Sequence, residues 1–324
     1  MKMWLRILIA VVAVILAAGI VLICLWFPLG DTEENYLEKV NSIDFFENTV
    51  EDALPQTDIY GIIKNHFESP LPEGKTAKKA IVLGYDGCRL DVLTNVKENE
   101  DGAMANILKD GGKAYISYCG GVKYPEKNTQ DTSTAPGWCS MLTGQWADVH
   151  GITGNGIVKS NDYLTLLTTL VENETINSSA FYVSWKGHFV DNNSTYRAEK
   201  EYVEENKLNV KFVCADNDAG TKANDIADVT NADCSDFIFS IFEFCDHSGH
   251  GTGFFSEKNT YKNAFFNSDD AAMEVIERIK ARETYDSEDW LIVLTADHGG
   301  KGRSHGKASI QERDTFIITN KEVK

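Results

Sequence analysis

Seven short apolar runs, separated by stretches with helical spacing, constrain this chain more than any other feature. They are Lys79 to Tyr85, Ala114 to Tyr118, Ser179 to Ser184, Val210 to Cys214, Phe237 to Phe244, Trp290 to Thr295 and Thr315 to Thr319. Runs that are continuously apolar, rather than alternating, belong to strands buried on both faces. The clearest intervening helix is Ser268 to Arg282, where Ala271, Ala272, Val275, Ile276 and Ile279 fall on one face. Strands alternating with helices predict an α/β fold, a three-layer α/β/α sandwich around a mostly parallel sheet. In such sheets function collects at the carboxyl ends of the strands.

Three of these ends carry carboxylates. Asp86 follows Tyr85; Asp246-His247-Ser248-Gly249-His250 follows the run ending at Phe244; Asp297-His298 follows Thr295-Ala296, with His305 seven residues further on. Carboxylates mixed with imidazoles suit zinc, manganese or iron better than calcium, which prefers oxygen alone. A nucleophile is expected in Asn128 to Gly144, where Thr134 precedes Ala135-Pro136 at an expected helix start. Thr132, Ser133 and Thr134 are equally what an ordinary helix cap would use.

The order of these motifs resembles the alkaline phosphatase superfamily, and within it the type I phosphodiesterase/nucleotide pyrophosphatase branch. The likeness spans roughly Lys79 to Thr319, through Asp86-Gly87, Thr134-Ala-Pro136, Thr143-Gly144, His150-Gly151-Ile152, Asp246-x-x-Gly-His250, Asp297-His-Gly-Gly and His305-Gly306. It implies two divalent ions, Zn²⁺ above all. Asp86, Thr134, Asp297 and His298 would hold one; Asp246, His250 and His305 would hold the other. Thr134 would attack phosphorus and form a covalent phosphothreonine, later hydrolysed by water. Three carboxylates and one alkoxide then balance the four positive charges of two such ions.

The resemblance breaks at one position. In the family the nucleophile is followed three residues later by an asparagine that holds the phosphate; here that residue is Gly137. Its backbone N–H is a candidate substitute. Further candidate substrate contacts are Trp138, Lys186, His188 and Arg303.

The formal net charge of −18 argues against nucleic-acid duplexes as partners, because the long-range field repels phosphate backbones. Residues 1–30 differ in kind. Lys2 and Arg6 precede an uncharged stretch from Ile7 to Gly30, and Asp31, Glu33 and Glu34 follow it. This predicts one transmembrane helix acting as signal-anchor, with the body outside the cytosol at the cell membrane. The alternative is secretion after signal cleavage near Ala17-Ala18. Residues 31–78 read as a stalk or packing arm, 79–324 as the catalytic domain, and 155–236 as an insertion capping the site. Six cysteines lie beyond the apolar stretch; Cys214 and Cys234 are the preferred disulfide if any forms, and unpaired buried thiols are the equal alternative.

The functional expectation is a membrane-anchored, extracytoplasmic, metal-dependent phosphoesterase cleaving phosphodiester or pyrophosphate bonds. Its substrate would be a small molecule or a lipid or polymer head group. The alternatives are a phosphomonoesterase, a phospho-head-group transferase of the same superfamily, or a non-catalytic surface protein that keeps the fold.

Overall fold

The computed structural model describes residues 9–16 and 30–322. Eight strands form one sheet: β1 (Leu54–Pro55), β2 (Ala77–Tyr85), β3 (Lys113–Tyr118), β4 (Ser179–Val183), β5 (Val210–Cys214), β6 (Phe237–Phe242), β7 (Glu288–Thr295) and β8 (Asp314–Thr319), in the order β1-β3-β8-β7-β2-β6-β4-β5. β8 runs antiparallel to both its neighbours, and every other pairing is parallel.

Side chains alternate between two cores. Along β2, Ile81, Leu83 and Tyr85 join one core while Ala80 and Val82 join the other; β7 splits the same way, with Trp290, Ile292 and Leu294 opposite Leu291 and Val293. This alternation is why the strands read as continuous apolar runs. The helix Asn259–Lys280 covers the first face, burying Tyr261, Phe265, Ala272, Val275 and Ile279. The helices Asp58–Glu68, Thr134–Thr143 and Leu166–Glu172 cover the second.

Residues 31–78 pack into the fold and do not stand off as a stalk. The helix Glu33–Asn41 buries Tyr36 and Val40, and Leu54–Pro55 adds an edge strand to β3. Asp31 meets the fully buried Arg89 at 3.0 Å, which binds Asp91 as well. Residues 155–236 likewise differ from the expected cap. They carry β4 and β5, which pair onto β6 and complete the sheet. Cys214 and Cys234 cannot pair, because one ends β5 and the other precedes the start of β6, at opposite edges of parallel strands. In this structure no disulfide links any of the six cysteines among the described residues. Most of the apolar stretch 7–30 lies outside the described residues; 9–16 are helical, and no described helix is long and apolar enough to cross a membrane.

Candidate metal centre

The central strands β7, β2 and β6 are neighbours, so the residues at their carboxyl ends converge. Asp86, Asp297 and His298 offer ligand atoms within 4.8 Å of one another, as do Asp246, His250 and His305. His298 Nε2 lies 3.6 Å from Asp86 Oδ1 and 3.4 Å from Asp297 Oδ2. Asp246 lies 3.4 Å from His250 Nε2 and 3.5 Å from His305 Nε2. A third grouping, Asp86, Glu243 and Asp246, links the two.

The protonation of the imidazoles follows from their partners. The Nδ1 atoms face backbone carbonyls: His298 that of Gly299 at 2.6 Å, His250 that of Arg303 at 3.1 Å, and His305 that of Thr132 at 3.1 Å. A carbonyl only accepts, so Nδ1 carries the proton and each neutral ring turns a lone pair outward at Nε2. In that tautomer His250 Nε2 and His305 Nε2 face each other at 3.1 Å as two acceptors. Two lone pairs at that distance repel unless a cation lies against both.

The carboxylates show the same division of labour. Asp86 Oδ2 accepts from Trp138 Nε1 at 3.0 Å, and Asp297 Oδ1 accepts from the N–H groups of Gly87 and His298. Asp86 Oδ1, Asp297 Oδ2, Asp246 Oδ1 and His298 Nε2 are buried without a hydrogen-bond partner. Burial, reinforced by neighbouring carboxylates, pushes Asp86 and Asp297 well above the usual range. Burial lifts Asp246 to about 7 and holds His305 down at about 4. Buried carboxylates this close cannot all ionise without compensating positive charge. The donor set therefore fits divalent cations.

Glycine lets the pieces meet. At Gly84 in β2 a Cβ would lie 2.4 Å from the Trp138 ring, so only glycine lets that indole cross the strand to reach Asp86. Gly87, at φ +65°, turns the chain so tightly that a Cβ would sit 2.9 Å from the Asp246 Cα.

Thr134 opens the helix Thr134–Thr143 after an extended Ser133, and it is 5% exposed. Thr132 is strapped to the His305 loop: its carbonyl accepts from Gly306 N–H, and its hydroxyl donates to the Lys307 carbonyl at 2.7 Å. That commits the Thr132 hydroxyl elsewhere. Further down, Gln130 and His150 both bond Ser140 and fix the helix in place.

Gly137 cannot serve a substrate through its N–H, which donates to the Ser133 carbonyl. Its Cα lies against Asp297, where a Cβ would come within 2.8 Å, so no asparagine fits there. Trp138 is fully buried and its N–H is spent on Asp86, which removes it from any substrate wall. His188 is also fully buried, 3.9 Å from Glu243, with burial holding it down at about 3. Lys186 is exposed, and Arg303 contributes the carbonyl that orients His250.

Beside Gln130, two further residues escaped the sequence reading. Glu243, three positions before Asp246, has an orphaned buried Oε1 between the clusters. Asn155 accepts the Ala135 N–H at 2.8 Å, at the first turn of the helix that Thr134 opens. The strand exit before Asp246 could have flagged the first; nothing local flags the second.

A twisted, mostly parallel α/β sheet with a carboxylate-imidazole centre at its carboxyl edge defines a metal-binding class of protein. Residues 80–312 match the family model for type I phosphodiesterase/nucleotide pyrophosphatase, and the chain belongs to that family. Murine ectonucleotide pyrophosphatase/phosphodiesterase 5 in complex with AMP is similar in structure at 16% identity and TM-score 0.45, over 70% of this chain and 58% of that one. This chain thus spans less than two thirds of that protein's length. Alkaline phosphatase from the Antarctic bacterium TAB5 aligns at 13% identity and TM-score 0.48, over 75% of this chain and 91% of the other. The C-terminal periplasmic domain of phosphoethanolamine transferase EptC from Campylobacter jejuni aligns at 13% and 0.47, over 76% and 79%. No curated protein sequence matches the chain.

Proposed function

We propose that this protein hydrolyses phosphodiester or pyrophosphate bonds through a phosphothreonine at Thr134. The observation that carries the reading is the facing pair of Nε2 lone pairs of His250 and His305, beside orphaned carboxylate oxygens. Two divalent cations, Zn²⁺ by donor chemistry, would be held by Asp86, Asp297, His298 and Thr134 and by Asp246, His250 and His305, where they would supply Lewis acidity and lower the pKa of hydroxyl and water.

The chain's own groups do the rest. The Thr134 oxygen attacks phosphorus, the leaving alcohol or phosphate departs, and water then cleaves the phosphothreonine. Asn155, its oxygen fixed by Ala135 N–H, offers its NH₂ to a non-bridging oxygen in place of the asparagine that Gly137 replaces. Among the described residues Ala135 and Gly137 have their N–H groups taken and Pro136 has none, so Thr134 alone brings a backbone donor from the first turn. The same reading sets the domain outside the cytosol on the apolar stretch 7–30, whose flanking charges favour that orientation.

The test compares zinc-loaded full-length protein on bis-p-nitrophenyl phosphate and p-nitrophenyl phosphate. A diester preference of about tenfold or more in kcat/KM is expected, since a roughly neutral centre gains little from a monoester's second charge. A preference for the monoester would overturn the diester assignment.

A further inference from the structure

Cys88 and Cys245 stand at matching positions beyond two neighbouring strands. β2 and β6 pair in parallel up to Tyr85 and Phe242, and each cysteine lies three residues past its paired residue. The ladder runs one step further, since Asp86 N–H donates to the Phe242 carbonyl at 2.9 Å. The contact of Gly87 with the Asp246 backbone then brings the cysteines' immediate chain neighbours together. Both thiols are fully buried. Cys245 Sγ lies 3.8 Å from Ser268 Oγ. The proposed hydrolysis uses neither sulfur.

We propose that Cys88 and Cys245 form an intramolecular disulfide tying the turn that carries Asp86 to the helix that carries Asp246. Adjacent parallel strands bring their side chains into the range a disulfide spans. No competing pair is set up by the strands: Cys214 and Cys234 lie at opposite sheet edges, Cys119 donates to the Glu312 carbonyl, and Cys139 is buried in the helix that Thr134 opens.

The oxidant is an external disulfide, glutathione disulfide or a protein disulfide. One cysteine thiolate attacks it, forming a mixed disulfide and expelling one thiol. The second cysteine thiolate attacks the mixed disulfide and expels the other thiol. Two protons and two electrons leave the pair, and the oxidant ends as two thiols. In the folded protein both sulfurs are fully buried, so exchange belongs to folding, before β2 and β6 pack together. The consequence for the site is mechanical. Asp86 and Asp246, which belong to different ligand clusters, become covalently braced against each other.

The inference is independent of the hydrolytic reading, because its readout is a covalent bond. The full chain is unfolded, reduced, refolded in mixed reduced and oxidised glutathione, alkylated and digested without reductant. A linked peptide pair containing Cys88 and Cys245 is expected in most molecules. The melting temperature should stand on the order of 10 °C above that of protein refolded with excess reductant, as expected for closing a loop of this length in a large domain. Cys88→Ser should remove the link and make the melting temperature indifferent to reductant. Recovery of both cysteines as alkylated free thiols, or their linkage to other cysteines, overturns the proposal. If Cys88→Ser does not fold, the peptide map of the unmutated chain decides alone.

Discussion

The two ligand clusters are built from the same residue types yet differ in how the fold holds them. Asp86, Asp297 and His298 are fully enclosed, whereas the His250 side chain is 47% exposed and Asp246 and His305 sit between these extremes. The deep cluster comes from the turns ending β2 and β7, in mid-sheet, and each of its carboxylates is gripped by a donor from elsewhere in the fold. The rim cluster depends on the i, i+4 spacing of Asp246 and His250 on the helix Phe244–Thr252 and on one loop from β7. The contrast teaches that the deep cluster is part of the core's hydrogen bonding, while the rim cluster reaches solvent mainly through His250.

The largest effect is expected from removing the proposed nucleophile. Thr134→Ala should lower turnover on bis-p-nitrophenyl phosphate by on the order of 10³-fold or more while metal content by elemental analysis stays unchanged. Ser133→Ala should leave most activity, although its buried hydroxyl also lacks a partner. The reverse result would make Ser133 the nucleophile.

Removing one imidazole from each cluster breaks the comparison directly. His298→Ala empties a fully enclosed position and should cost about 3 kcal/mol in urea unfolding of the metal-free protein. His250→Ala, at the rim, should cost less than about 1 kcal/mol there. Equal losses would show that the two clusters are embedded alike.

Much of this architecture was legible in the chain, for identifiable reasons. Strands buried on both faces must be apolar throughout, so seven of the eight announce themselves. The eighth, Leu54–Pro55, is two residues long and exists only because β3 offers it an edge. The long helix begins at Asn259, earlier than its visible pattern, because Tyr261, Ala264 and Phe265 are separated by the polar Lys262 and Asn263. Asp86, Asp246 and Asp297 stood out as charges where apolar runs end. Asn155, Gln130 and Glu243 did not, since their partners are a backbone amide, a helix one turn inward and other carboxylates, which only the folded chain brings near.

A pH dependence tests the support beneath the deep cluster. His150 accepts the Ile152 N–H at Nδ1, 3.0 Å away, so its proton is on Nε2, facing Ser140 Oγ at 3.1 Å. A second proton on Nδ1 would oppose that amide. Burial, with Lys159 adding to it, holds His150 down at about 4 against the usual 6.5. Above pH 6.5 the ring is neutral folded or unfolded, and its contribution is fully present. As pH falls from 6.5 to 4 the unfolded chain takes up a proton that the folded one refuses, so stability drops by up to about 3 kcal/mol. Urea midpoints of the metal-free protein should fall over this window, and His150→Asn, which cannot titrate, should flatten the fall. An unchanged slope would mean that His150 does not carry this dependence.

The last prediction isolates one hydrogen bond. Trp138→Phe removes the Nε1 donor to Asp86 and keeps an aromatic ring against Phe239, whose centroid lies 5.7 Å from that of Trp138. Asp86 Oδ2 is then left without its buried donor, and the carboxylate is freer to turn. Groups that orient a ligand in this way are worth roughly 10- to 100-fold in metal affinity. Competition with a chromogenic zinc chelator should show that loss for one equivalent of metal, with the second equivalent bound as before. A loss spread equally over both equivalents would mean that Asp86 serves both clusters, through the grouping it shares with Glu243 and Asp246, and the division into a deep and a rim cluster would fall.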